Sequence, residues 1–143
     1  MRSFSIFGKK RKGERIMSKI FNGTPHPITV LSDSCITYRE DIRKYVCSGE
    51  LVVVAEIPSH GVLSAKMDTV EVGRVGDIPV FAKKITGCDP IPEGYDIVVV
   101  SALYATAAKT AGLDTSRLYT IGDPVYSEDG RTILGCRGIA KVE

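Results

Sequence analysis

Apolar and polar residues alternate in short runs along most of this chain, and helical spacing shows in only two places. Ile20, Phe21, Ile28, Val30 and Leu31 point to a first strand, broken or bent at the loop Asn22-Gly23-Thr24-Pro25-His26-Pro27. Proline holds φ at about −65° at Pro25 and Pro27 and drives Thr24 and His26 toward extended backbone. A loop this stiff can hold the side chains of Asn22, Thr24 and His26 in fixed positions, as an anchor for the strand.

Within Asp33–Gly49 the pattern changes. Thr37 and Glu40 stand at capping-box spacing. Tyr38, Ile42, Tyr45 and Val46 recur at helical intervals, and Gly49 follows as a stop. A short helix is predicted there. Leu51–Ile57 reads as a buried strand closed by the turn Pro58-Ser59-His60-Gly61, which makes His60 a surface residue. Val62–Met67 is a further strand candidate. Val70–Val72 and Ile78–Ala82 flank Gly73–Asp77 as a hairpin with a longer loop, and Asp89–Gly94 is a surface loop.

Tyr95–Val100 carries the strongest strand signal and runs directly into the alanine-rich stretch Ser101–Ala111, a helix with Ser101 at its N-cap and Gly112 beyond its end. Leu118–Thr120, Pro124–Tyr126 and Thr132–Cys136 are short strands, and Asp129-Gly130 between the last two signals a hairpin. Six or seven short strands, two short helices and no regular β-α-β alternation predict an α+β domain. Its sheet is expected to be mainly antiparallel, curled or closed into a small barrel, and packed against the helices.

Charge separates one end of the chain from the rest. Arg2, Lys9, Lys10, Arg11, Lys12 and Arg15 face a single acid, Glu14, in residues 1–16, so the net +2 of the whole chain comes from this segment. It lacks patterned apolar residues and is expected to be a disordered tail. Arg-Lys-Gly-Glu-Arg-Ile before Met17 is also what a purine-rich ribosome-binding sequence gives in translation, which favours a natural start at Met17 over a functional basic arm. Residues 17–143 then form a single ligand-binding domain. Its net negative charge and lack of a basic stripe disfavour nucleic-acid polymers. No apolar run is long enough to cross a bilayer. Cys35, Cys47, Cys88 and Cys136 are widely spaced, which suits reduced thiols of a cytoplasmic protein rather than a zinc site.

Little in the chain suggests catalysis. There are two histidines, His26 and His60. Ser101 lacks the G-x-S-x-G elbow that would expose it as a nucleophile, and no metal, P-loop or dinucleotide motif occurs. No cofactor is expected. Anion binding has more material. Ser101 opens a helix, where free N–H groups favour phosphate. Arg131 and Arg137 lie an even number of residues apart, compatible with one strand face, and Arg117 lies upstream. Tyr104 and Tyr126 are aromatics available to stack on a base.

The body from Ser18 onward resembles a family of small phage and prophage proteins that open with an Asn-x-Thr-Pro-His motif, here Asn22-Gly23-Thr24-Pro25-His26. The likeness continues through Glu56-Ile57-Pro58-Ser59, Gly76-Asp77-Ile78-Pro79-Val80, Ile97–Ser101 and Asp129–Gly138. Within that territory the chain is similar to the Thoeris anti-defence sponge proteins of phages. That resemblance implies a non-enzymatic, oligomeric protein of the host cytoplasm, one that sequesters a cyclic ADP-ribose isomer without cleaving it. It also implies arginine contacts to the ligand's phosphates, for which Arg131 and Arg137, with help from Ser101, are the candidates. Val125-Tyr126-Ser127 stands where the family commonly has Val-Arg-Asp, which removes one candidate arginine. The alternatives are a phage or prophage accessory protein acting through protein–protein contacts, and a small hydrolase using His26.

Overall fold

Successive residues of a strand leave opposite faces, and the run Ile97–Val100 uses this to divide the protein into layers. Val98 and Val100 pack with Phe21, Tyr104, Ala105, Ala108 and Leu118. Ile97 and Val99 turn the other way, toward Ile20, Ile28, Ile57 and Cys136. One side of this sheet therefore carries a helix and the other a second sheet.

The computed structural model describes residues 4–9 and 15–143. The first sheet is built from β1 (Phe4–Lys9), β2 (Arg15–Asn22), β9 (Ile97–Val99), β10 (Leu118–Ile121) and β13 (Ile139–Lys141), in that order across the sheet. The second runs β4 (Ile36–Arg39), β5 (Lys44–Cys47), β11 (Pro124–Tyr126), β12 (Ile133–Cys136), β3 (Ile28–Leu31) and β6 (Val53–Ile57). A separate ribbon pairs β7 (Ala65–Val75) with β8 (Ile78–Cys88), and α1 spans Ala102–Thr110. A third cluster of Leu31, Cys35, Cys47 and Val125 consolidates the second sheet.

This architecture corrects the expected fold class. Among the described residues there are thirteen strands and one α-helix, and the sheets are open rather than closed into a barrel. Among the described residues six of the ten strand pairs are antiparallel, but the two larger sheets are mixed. β9 runs parallel to both β2 and β10, β11 parallel to β5, and β12 parallel to β3. Strands of three or four residues leave too short an alternation to be counted from sequence, and parallel pairing leaves no local turn signal.

The helix predicted between Thr37 and Val46 is a hairpin instead. Tyr38 lies opposite Tyr45 across β4 and β5, with ring centroids 4.9 Å apart. A hairpin with these partners brings residues seven apart side by side, as two turns of helix also do, so the spacing misleads. Arg43 in the connecting turn takes φ of 53°, a left-handed conformation no α-helix contains.

Local signals were more faithful elsewhere. Ser101 caps α1 by accepting the Tyr104 N–H at 3.1 Å. Asp129-Gly130 joins β11 to β12 as an antiparallel hairpin, with Gly130 at φ 73°. The β7–β8 hairpin closes more tightly than predicted, Val75 facing Ile78 across Gly76-Asp77. Gly135 permits β12 to lie against β3, since a Cβ there would stand 2.7 Å from the Thr29 carbonyl oxygen. Of the basic segment 1–16, residues 1–3 and 10–14 lie outside the described residues. Phe4–Lys9 pairs with Arg15–Ile20 in antiparallel register.

Candidate functional site

The Asn22 loop is held by a buried polar network. Asn22 sits at the end of β2 with no exposed surface. Its side-chain NH2 donates to the carbonyls of His26 (2.9 Å) and Ile57 (3.1 Å), and its Oδ1 accepts the Thr24 N–H (3.0 Å) and hydroxyl (2.6 Å). Both hydrogens and both lone pairs of the amide are thus used. The network ties the end of β2 to the turn into β3 and to the last residue of β6, a framework role that leaves nothing of Asn22 or Thr24 for a ligand.

His60 is not on the surface. It is 8% exposed, packs on Phe21 with ring centroids 5.5 Å apart, and its Nδ1 accepts the Asn22 backbone N–H at 2.8 Å. That bond assigns the ring proton to Nε2, which finds no acceptor among the described residues. Burial pushes the imidazole below its ordinary pKa, so it is neutral. The turn residues around it carry no periodicity from which burial could have been read.

The six expected ligand residues are not brought together. Ser101 is occupied as the cap of α1. Tyr104 is fully buried and donates its hydroxyl to the Asp89 carbonyl at 2.6 Å, and burial pushes its pKa up to about 12. It has no face free for a base. Arg117 donates through Nη1 to the carbonyls of Pro92 (2.9 Å) and Tyr95 (2.8 Å), clamping the loop before β9. Lys44 stands 4.4 Å over the ring of half-buried Tyr126.

Arg131 and Arg137 lie at opposite ends of the β11–β12 hairpin. Arg131 belongs to the turn, where its N–H donates to Asp129 Oδ1 at 3.0 Å. Arg137 follows β12, with its guanidinium 4.2 Å from the Tyr45 ring centre and 3.4 Å from Asp123 Oδ2. The strand between them covers only Ile133–Cys136, so the even spacing does not place them on one face.

A concavity lies elsewhere, against the second sheet. A groove of about 440 Å³ opens between the start of β3 and the β11–β12 hairpin. Ile28 and Cys136, both buried, line it together with the exposed side chains of Ile121 and Ile133, 44% and 60% in water. Exposed His26 also lines it, and its carbonyl is fixed by Asn22. The volume falls within the range of small-molecule sites, and the lining is mostly aliphatic, suited to a flat ring rather than to a bare anion. Arg137, next in the chain after Cys136, is the closest candidate cation in sequence. The sequence named His26 but not Ile121 or Ile133, whose side of the sheet depends on pairing between strands far apart in the chain.

The groove carries no reactive set. Cys136 donates its thiol to the Thr29 carbonyl at 3.4 Å, and burial pushes its pKa up, so it stays protonated and unreactive. Among the described residues no three His, Cys, Asp or Glu side chains are grouped to hold a metal ion, and no helix is long and apolar enough to cross a membrane. No protein-family model, curated protein or solved structure matches the chain.

Proposed function

We propose that the protein is a non-enzymatic binder that sequesters a small, phosphate-bearing cyclic nucleotide in the cytoplasm without cleaving it. The base lies in the groove between Ile121 and Ile133 with the His26 imidazole at its rim, and Arg137 turns from Tyr45 to a ligand phosphate. The observation that supports this reading most is the groove itself: ring-sized, aliphatic, exposed, and lined by no activated nucleophile. The Asn22–His26 motif and the later stretches resemble those of small phage and prophage proteins, and the similarity to anti-defence sponges within that territory supports the choice of ligand class, a cyclic ADP-ribose isomer.

Calorimetric titration with that nucleotide tests the placement. Ile133→Glu puts a charge into an exposed groove position without disturbing the core, and is expected to abolish binding. Arg137→Ala is expected to weaken it at least tenfold, about 1.4 kcal/mol. Unchanged affinity in both variants overturns the assignment to this groove.

A further inference from the structure

Two buried thiols meet near the edge of the second sheet. Cys35 ends the single-turn 3-10 helix Asp33–Cys35, and Cys47 ends β5. Ile36 lies opposite Cys47 in the β4–β5 register, and the Ser48 N–H donates to the Cys35 carbonyl at 2.8 Å. Cys35 and Cys47 are therefore diagonal neighbours across this hairpin. With about 5 Å between paired Cα atoms and about 3.3 Å of rise per residue, their Cα atoms stand on the order of 6 Å apart. A disulfide spans about 4.4–6.8 Å. Diagonal neighbours of a regular ladder face opposite sides, but Cys35 belongs to the turn rather than to the strand. Its side chain enters the same apolar cluster as that of Cys47, between Leu31 and Val125.

While the sheet is closed the pair is quiet. The two residues are 4% and 5% exposed, and the Cys35 thiol donates to the Ser32 carbonyl at 3.3 Å. Burial and the adjoining Cys35 thiol push the Cys47 pKa up, and protonated, shielded thiols react slowly. Their cover is thin. β4 has four residues, forms the end of the sheet and pairs on one side alone, with β5. An edge element of this kind opens at a fraction of the cost of global unfolding. Opening brings Cys35 to solvent and returns it toward the ordinary thiol pKa of about 8.5. Cys88 and Cys136 belong to the two other clusters, apart from this pair.

We propose that Cys35 and Cys47 are a site of reversible oxidative modification, closed to a disulfide by a peroxide, and that the cross-link fastens the edge strand β4 to β5. In the open state the Cys35 thiolate attacks one peroxide oxygen and the O–O bond breaks. The products are a sulfenic acid and hydroxide, which leaves as water with the proton that Cys35 gave up. On reclosure the Cys47 sulfur attacks the sulfenic sulfur, and the S–O bond breaks. The departing hydroxide takes the Cys47 proton and leaves as a second water. The two thiols thus supply two electrons, which reduce one hydrogen peroxide to two waters, and a dithiol reductant reverses the step by exchange. This inference is independent of the ligand reading.

The test treats the full chain with hydrogen peroxide and follows its intact mass. The oxidised protein is expected to be lighter by two hydrogens, with peptide mapping under non-reducing conditions joining Cys35 to Cys47. Dithiothreitol should restore the original mass. The cross-linked chain should melt roughly 5 °C or more above the reduced one, since the loop is closed in the unfolded state. Cys47→Ala should lose the cross-link and leave a sulfenic acid on Cys35 that dimedone traps, whereas Cys88→Ala should oxidise like the wild type. A wild type of unchanged mass, or one that only gains oxygen, overturns the proposal. So does a cross-link that maps to another pair, or an oxidised chain that melts no higher than the reduced one.

Discussion

Asn22 and His60 are joined twice. The Asn22 N–H donates to His60 Nδ1 at 2.8 Å, and the His60 N–H donates to the Asn22 carbonyl at 2.9 Å. This reciprocal pair bridges the end of β2 and the segment that follows β6, so it links the two sheets at the point where the chain turns from one to the other. The rigid Asn22-Gly23-Thr24-Pro25-His26-Pro27 loop is in this sense a joint of the fold, and it sets the His26 rim of the groove.

Removing the Asn22 side chain takes the side-chain partner from the buried Thr24 N–H and from the Ile57 carbonyl, and one of two donors from the His26 carbonyl. Asn22→Ala is expected to lower unfolding free energy by about 3 kcal/mol. Urea denaturation checks this, with a midpoint that falls at unchanged slope.

Stability should also depend on pH through His60. Its folded pKa lies below its unfolded value of about 6.5. The unfolded chain therefore takes up the proton first as pH falls. The stability tied to the neutral ring is whole above the unfolded pKa and declines as pH drops through it toward the folded value. Urea midpoints should fall between about pH 7.5 and about pH 5.5, by no more than the ~1.4 kcal/mol per pH unit that one proton allows. His60→Gln should flatten that dependence.

Arg117 serves the scaffold, in contrast to the role proposed for Arg137. Its two bonds to the Pro92 and Tyr95 carbonyls are charge-assisted, and Arg117→Ala is expected to cost about 2 kcal/mol of stability. Calorimetry should find ligand affinity unchanged in the folded variant, in contrast to Arg137→Ala.

The strand-cap-helix unit at Val98–Tyr104 and the Asp129-Gly130 hairpin were legible in the sequence because each is decided by neighbours in the chain. The Tyr38–Tyr45 hairpin was not, because helix and hairpin spacing coincide there. The parallel neighbours β2, β9 and β10 were equally hidden, since their pairing joins residues some eighty positions apart in β2 and β9. For the site, His26 was visible as an isolated histidine in a stiff loop. Ile121 and Ile133 looked like ordinary strand residues until the register turned them outward. Tyr104 and Arg117 looked available because an aromatic or an arginine carries no sign in sequence of the backbone carbonyl it will meet.

The central claim is sequestration without chemistry. Incubate the protein with a cyclic ADP-ribose isomer, remove free nucleotide, denature the protein by heat, and weigh the released small molecule by mass spectrometry. The account predicts depletion from solution followed by release of the intact nucleotide in stoichiometric amount. A cleaved product, or no depletion at all, would contradict it.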